Sequence, residues 1–138
     1  MENLIKENLV KAAKEARKNS YSPYSGFMVG AALLGKSGEI YRGCNIENAA
    51  YSPSLCAERN AFGIAIARGE REFVAIAVAG WAKDKESGEA APCGVCRQFM
   101  MEFCCPREFQ IIIVGEDNTS YTLEELLPFG FGPDDLRD

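Results

Sequence analysis

The sequence predicts an α/β protein, a three-layer α-β-α sandwich built on a mixed five-stranded sheet. Three observations carry that expectation. Apolar residues at helical spacing alternate with strand-like apolar runs in the order α-β-β-α-β-α-β-(β)-α, which calls for a sheet covered by helices. The segment from Phe73 to Ala79 is apolar at every position, as a strand covered on both faces must be. A length of 138 residues, with 47% apolar and 25% charged, suits one ordinary globular domain spanning 1–138.

The elements follow in order. Leu4, Ile5, Leu9, Ala12, Ala13 and Ala16 fall on one stripe, so the first helix covers the N-terminal segment until Tyr21-Ser22-Pro23-Tyr24-Ser25-Gly26 breaks it. Phe27–Leu34 reads as a strand, Lys36-Ser37-Gly38 as a turn, and Glu39–Cys44 as the second arm of a hairpin. After a polar loop, Ser52 caps and Pro53 opens a helix that ends near Arg68, with Gly69 as its stop. Phe73–Ala79 is the central strand. Pro92 opens a short helix carrying Cys93 and Cys96 that Pro106 ends, and Gln110–Val114 is the next strand. Ser120-Tyr121 adds a short edge strand, and Thr122 with Glu125 forms a capping box for a last helix, Leu123–Leu127.

Composition narrows the chemistry. A net charge of −5 argues against a nucleic-acid partner, which needs Lys and Arg to displace counterions from phosphates. The N-terminal residues do not read as a signal peptide, and no apolar run is long enough to span a bilayer, so a soluble, cytoplasmic protein is expected. There is no histidine, which removes every Ser-His and Cys-His nucleophile and every His-based metal motif. Six cysteines in such a chain read as thiols or metal ligands rather than a disulfide framework.

Cys93-Gly94-Val95-Cys96 alone could be half a zinc site, a redox pair or two core cysteines. Cys56-Ala57-Glu58-Arg59 sharpens the reading, because it too lies in the first turn of a predicted helix, where the dipole favours thiolates. Two such ends facing each other supply three ligands and leave a fourth tetrahedral position for water, the layout of a catalytic zinc. A ligand, one residue, a non-ligating glutamate and a downstream Pro-Cys-x-x-Cys is the pattern of zinc deaminases, and Cys56, Glu58 and Pro92-Cys93-Gly94-Val95-Cys96 match it in full. Three thiolates leave a zinc site at −1, so Arg59, three residues after Cys56, is placed to offset that charge. Cys44, Cys104 and Cys105 read as buried, inert thiols, with Cys44 the alternative fourth ligand of a closed structural site.

These motifs, with Tyr24-Ser25-Gly26-Phe27, Gly43-Cys44-Asn45-Ile46-Glu47-Asn48-Ala49-Ala50-Tyr51 and Glu124-Glu125-Leu126-Leu127-Pro128, resemble the cytidine deaminases, in particular their short, homotetrameric, three-cysteine branch. The resemblance runs nearly end to end. It implies one zinc per subunit, held by Cys56, Cys93 and Cys96, and proton transfer through Glu58. It implies that Asn45 and Glu47 hold the ribose 3′-hydroxyl, that Phe27 packs on the pyrimidine, and that Ala57 contacts substrate. It also implies a homotetramer in which Tyr51 and a C-terminal Phe of neighbouring subunits complete each pocket; Phe131 aligns best, with Phe129 two residues away. The expected activity is hydrolysis of cytidine and deoxycytidine to uridine or deoxyuridine and ammonia, in pyrimidine salvage. Rival readings are a closed, non-enzymatic zinc module, a deaminase of bases within nucleic acid, and a deaminase of another aminated heterocycle.

Overall fold

Small residues decide how the layers of this protein meet. In the computed structural model, which describes residues 1–137, five strands form one sheet in the order β2-β1-β3-β4-β5. They are β1 (Phe27–Gly35), β2 (Ile40–Cys44), β3 (Phe73–Ala82), β4 (Gln110–Ile113) and β5 (Thr119–Thr122). β1 runs antiparallel to both β2 and β3, β3 and β4 are parallel, and β5 is antiparallel to β4. The sheet is therefore mixed. The helices are α1 (Asn3–Arg17), α2 (Ala57–Ala67), α3 (Gly94–Phe103) and the one-turn α4 (Leu123–Leu126), followed by a 3-10 turn at Pro133–Leu136.

Alternation along β1 and β3 gives each side chain its face. Ala32, Leu34, Ala75, Ala77 and Ala79 pack with Leu9, Val10, Ala12 and Ala13 of α1. Ala31, Leu33, Ile76 and Val78 point the other way, to the cluster holding Ala57, Ala61, Phe62 and Ala65 of α2 and Cys96 and Met100 of α3. That is the expected three-layer sandwich. Phe62 is fully buried in the second cluster, its ring 4.9 Å from Phe73, 5.8 Å from Phe99 and 6.2 Å from Phe109 between centroids, so one side chain ties α2 to α3 and to the sheet side. At Gly43 a Cβ would fall 2.5 Å from the Ala61 nitrogen and 2.6 Å from the Ala57 oxygen. The first turns of α2 can lie directly on β2 only because residue 43 has no side chain. Asn60 pins the same contact, its Oδ1 accepting from the Cys44 N–H at 3.0 Å.

Two helix starts differ from expectation. α2 begins at Ala57 with Cys56 as its N-cap, not at Pro53 behind Ser52. Leu55 and Ile46 exchange two backbone hydrogen bonds, of 2.8 and 2.9 Å, and this bridge commits both donor and acceptor of Leu55 to extended pairing. α3 begins at Gly94 with Cys93 as N-cap, rather than at Pro92. Elsewhere the local signals hold. α2 ends at Ala67 with Gly69 following at φ +95°, and Thr122 and Glu125 form the reciprocal capping box ahead of α4. β3 continues beyond Ala79 to Ala82 because its pairing with β1 extends to Phe27. Among the described residues, no helix is long and apolar enough to cross a membrane.

Candidate functional site

Making cysteine an N-cap has a chemical consequence. An N-cap side chain ordinarily satisfies a first-turn N–H, but neither Cys56 nor Cys93 does so, and both sulfurs are left for another partner. With Cys96 from the first turn of α3, the three Sγ atoms lie within 4.8 Å of one another, Cys56 and Cys93 3.9 Å apart. Tetrahedral zinc with Zn–S bonds of ~2.3 Å places its sulfurs about 3.8 Å apart, so the donor set fits the ion in number, softness and spacing.

The surroundings fit it too. Arg59 Nη2 reaches Cys56 Sγ at 3.6 Å, and Arg59 Nε is buried with no hydrogen-bond partner among the described residues. A guanidinium so placed calls for negative charge beside it, and three thiolates supply that. Before metal binds, hydrogen bonding from the Cys96 thiol brings Cys56 down to about 5, against its burial, with Arg59 and Cys93 adding to the shift. Cys96, donating that bond and buried, is pushed upward. Cys44 lies outside the cluster, its thiol 3.5 Å from the Asn19 carbonyl, so among the described residues no fourth cysteine joins the group. The other spare cysteines split: Cys104 is buried, as expected, while Cys105 is exposed and Cys44 only half-buried, because Cys105 follows the last turn of α3 out of the core.

Glu58, the second residue of α2, is 4% exposed. Burial pushes its carboxyl up to about 7, with the negative charge of Cys56 adding, while its own N–H and the Cys96 thiol pull the other way. A carboxyl titrating near neutrality can both accept and return a proton.

Glu58 lines a cavity of about 240 Å³ together with Cys56, Cys93, Phe27, Asn45, Glu47 and Ala57. The structure thus gathers most of the sequence-predicted residues around one space. Gly80 helps to make it, since a Cβ there would fall 2.8 Å from Ala90 Cβ and 3.3 Å from the Phe27 ring. Asn45 and Glu47 are also bound to their own chain. Asn45 Oδ1 accepts from Val29 N at 2.9 Å and from Ser20 Oγ, while its Nδ2 donates to the Phe27 carbonyl at 2.8 Å. Glu47 Oε1 accepts from the Tyr24 and Ser25 amides at 2.9 and 3.1 Å, and Oε2 from Ser25 Oγ.

Tyr51 and Phe131 stay outside this cavity. Tyr51 is 73% exposed at φ 62°, its ring edge-on to Tyr24, and Phe131 is 57% exposed. Phe129, at φ 56°, is fully exposed. Sequence reasoning also missed lining residues: Val29, Ser54, Leu55, Val78, Ala90 and Ala91. The strand pattern could have offered Val29 and Val78 as inward-facing, but Ser54 and Leu55 were hidden by the misplaced helix start, and no local signal marks Ala90 and Ala91.

Known proteins place this architecture. The cytidine and deoxycytidylate deaminase zinc-binding region matches residues 4–112. A cytidine deaminase of Sporosarcina psychrophila is 47% identical over 131 residues, covering 94% of this chain and 93% of that protein. Another, from Halalkalibacterium halodurans, is 44% identical and covers 96% and 98%. The crystal structure of cytidine deaminase from Burkholderia pseudomallei superposes with a TM-score of 0.81 at 41% identity, covering 95% of this chain and all of that one. On the profile, the relatives and the three-cysteine centre together, the chain belongs to the zinc-dependent cytidine and deoxycytidylate deaminase family.

Proposed function

We propose that this protein hydrolyses cytidine and deoxycytidine to uridine and deoxyuridine with release of ammonia, as a cytoplasmic step of pyrimidine salvage. The observation that carries the reading is the buried Glu58 in the same cavity as Cys56 and Cys93 of the cysteine cluster, with Asn45 and Glu47 on its wall.

Zinc held by Cys56, Cys93 and Cys96 would supply Lewis-acid activation of water. Glu58 takes the proton of the attacking water and delivers it to N3 of the cytosine ring as C4 is attacked. The same carboxylate then takes the remaining proton from the hydroxyl added at C4 and hands it to the amino group, so that the C4–N bond breaks, the C4 carbonyl forms and ammonia leaves. Phe27 offers a ring face for the pyrimidine, and Ala57 borders it.

A count of hydrogen-bonding capacity supports a hydroxyl ligand at Asn45 and Glu47. Both lone pairs of Asn45 Oδ1 and both of Glu47 Oε1 are used, as are one Nδ2 hydrogen and one lone pair of Oε2. One donor on Asn45 and one acceptor on Glu47 remain, the pair that a single ribose hydroxyl satisfies. A 3′-phosphate or a continuing strand has no proton to give that acceptor, and the net charge of −5 further disfavours nucleic acid. The exposed Tyr51 and Phe131 support a homotetramer in which neighbours complete each pocket.

The test is ultraviolet absorbance on mixing the protein with cytidine, adenosine or CMP. Loss of the cytidine band alone, abolished by chelation and restored by zinc, is expected; an unchanged spectrum from zinc-loaded protein would refute the reading. Arg59→Ala is expected to weaken zinc retention about tenfold in competition with a chromogenic chelator, the usual cost of losing a group that supports metal ligands. Unchanged zinc affinity and unchanged turnover would remove Arg59 from that role.

A further inference from the structure

We infer that Ser25 is a positioning residue for the nucleoside site, joining the wall that meets the ribose to the wall that meets the base through one hydroxyl. The inference rests on the ribose reading of Asn45 and Glu47.

Ser25 lies in the turn just before β1. Its Oγ donates to Glu47 Oε2 and accepts from the Phe27 N–H at 3.0 Å, while its own N–H donates to Glu47 Oε1 at 3.1 Å. Glu47 and Phe27 both line the cavity, and they come from different segments. Without the hydroxyl, Glu47 would be held by Oε1 alone, through the Tyr24 and Ser25 amides, and could turn about that edge. The Ser25 hydroxyl occupies one lone pair of Oε2 and so fixes the direction of the other, the acceptor left for substrate. It is also the main cause holding the Glu47 carboxyl below the ordinary range. Phe27 depends on the hydroxyl less, since it stays in register with Ala82 and its carbonyl remains bonded to Asn45.

Ser25 sits at an exposed turn and, among the described residues, its hydrogen bonds go to Glu47 and the Phe27 N–H, so its loss is read in substrate capture. Ser25→Ala is expected to raise KM for cytidine about tenfold, the size of one lost hydrogen bond to a charged group, with kcat changed less than about threefold. Zinc content should stay at the wild-type value, and the variant should stay folded at the assay temperature with Tm lowered by at most a few degrees. Ser25→Thr, which keeps the hydroxyl, should restore KM to within about twofold. In a double-mutant cycle, Ser25→Ala is expected to add little once Glu47 is Ala.

An unchanged KM in Ser25→Ala, a Ser25→Thr variant as impaired as Ser25→Ala, or additive effects with Glu47→Ala would overturn the inference while leaving the substrate reading intact. Loss of zinc or of folded structure in Ser25→Ala would overturn it as well, by making the hydroxyl a prop of the fold. A wild-type protein that leaves cytidine unchanged would remove the substrate reading and this inference together.

Discussion

Glu58→Gln is expected to cut kcat on cytidine by about 10²–10⁴-fold while the protein keeps its zinc, because glutamine fills the same space and can neither take nor return a proton. The measurement is steady-state turnover beside metal content. A variant with near-wild-type turnover would end the assignment of Glu58 as the proton carrier. The substitution carries a second expectation, of opposite sign, in the metal-free protein. Burial raises the Glu58 carboxyl to about 7, above its unfolded value of 4.5. The folded state therefore holds this proton more tightly than the unfolded state, and that contribution to stability is full below the unfolded value and lost as pH rises through 7. Glutamine has no proton to lose, so the chelated variant should be more stable than chelated wild type at pH 8, on the order of 3 kcal/mol, with the gap shrinking towards pH 5. Denaturant titration at the two pH values checks this, and equal stability at pH 8 would mean that the carboxyl is well solvated.

Phe62→Ala is expected to destabilise the protein by about 3–5 kcal/mol, the range for deleting a fully buried aromatic ring. Its ring meets Phe73, Phe99 and Phe109, and α2 and α3 carry the facing cysteines. The cavity left behind would loosen the approach of the two helix ends, so zinc affinity should fall along with the denaturant midpoint. A midpoint shift worth less than about 1 kcal/mol would show that neighbouring rings collapse into the space, and the link between this core and the metal centre would fall with it.

How much of this was legible in the sequence depended on the range of the interactions involved. The strand starts, the stop at Gly69 and the Thr122–Glu125 box follow from neighbours a few residues apart and stand close to where the pattern put them, while the extension of β3 to Ala82 follows from its pairing with β1. The metal cluster was readable because its chemistry repeats a spacing, Cys-x-Glu and Cys-x-x-Cys, that few other demands produce. The start of α2 was misread because the Ile46–Leu55 bridge overrides a good Ser-Pro helix opening, and that pairing is visible only in three dimensions. The exposure of Cys105 and the approach of Ala90 and Ala91 to the cavity were hidden for the same reason. Asn45 and Glu47 were identified through resemblance, yet their bonds to Ser20, Ser25, Val29 and Phe27 follow only from coordinates.

The cysteines that face each other across the α2 and α3 ends are 37 residues apart in the chain, with all of β3 between them. A nascent or refolding chain therefore offers only the local Cys93–Cys96 pair, a weak bidentate grip, until β3 has joined the sheet and brought Cys56 to it. Full three-cysteine coordination needs the two helix ends side by side, a placement that depends on β3 being in the sheet. Interactions formed that late act mainly on the rate of escape from the native state. Zinc held by all three cysteines would then be a latch as well as a reagent: chelation is expected to speed unfolding in denaturant more than it slows refolding, and equal changes in both rates would refute this.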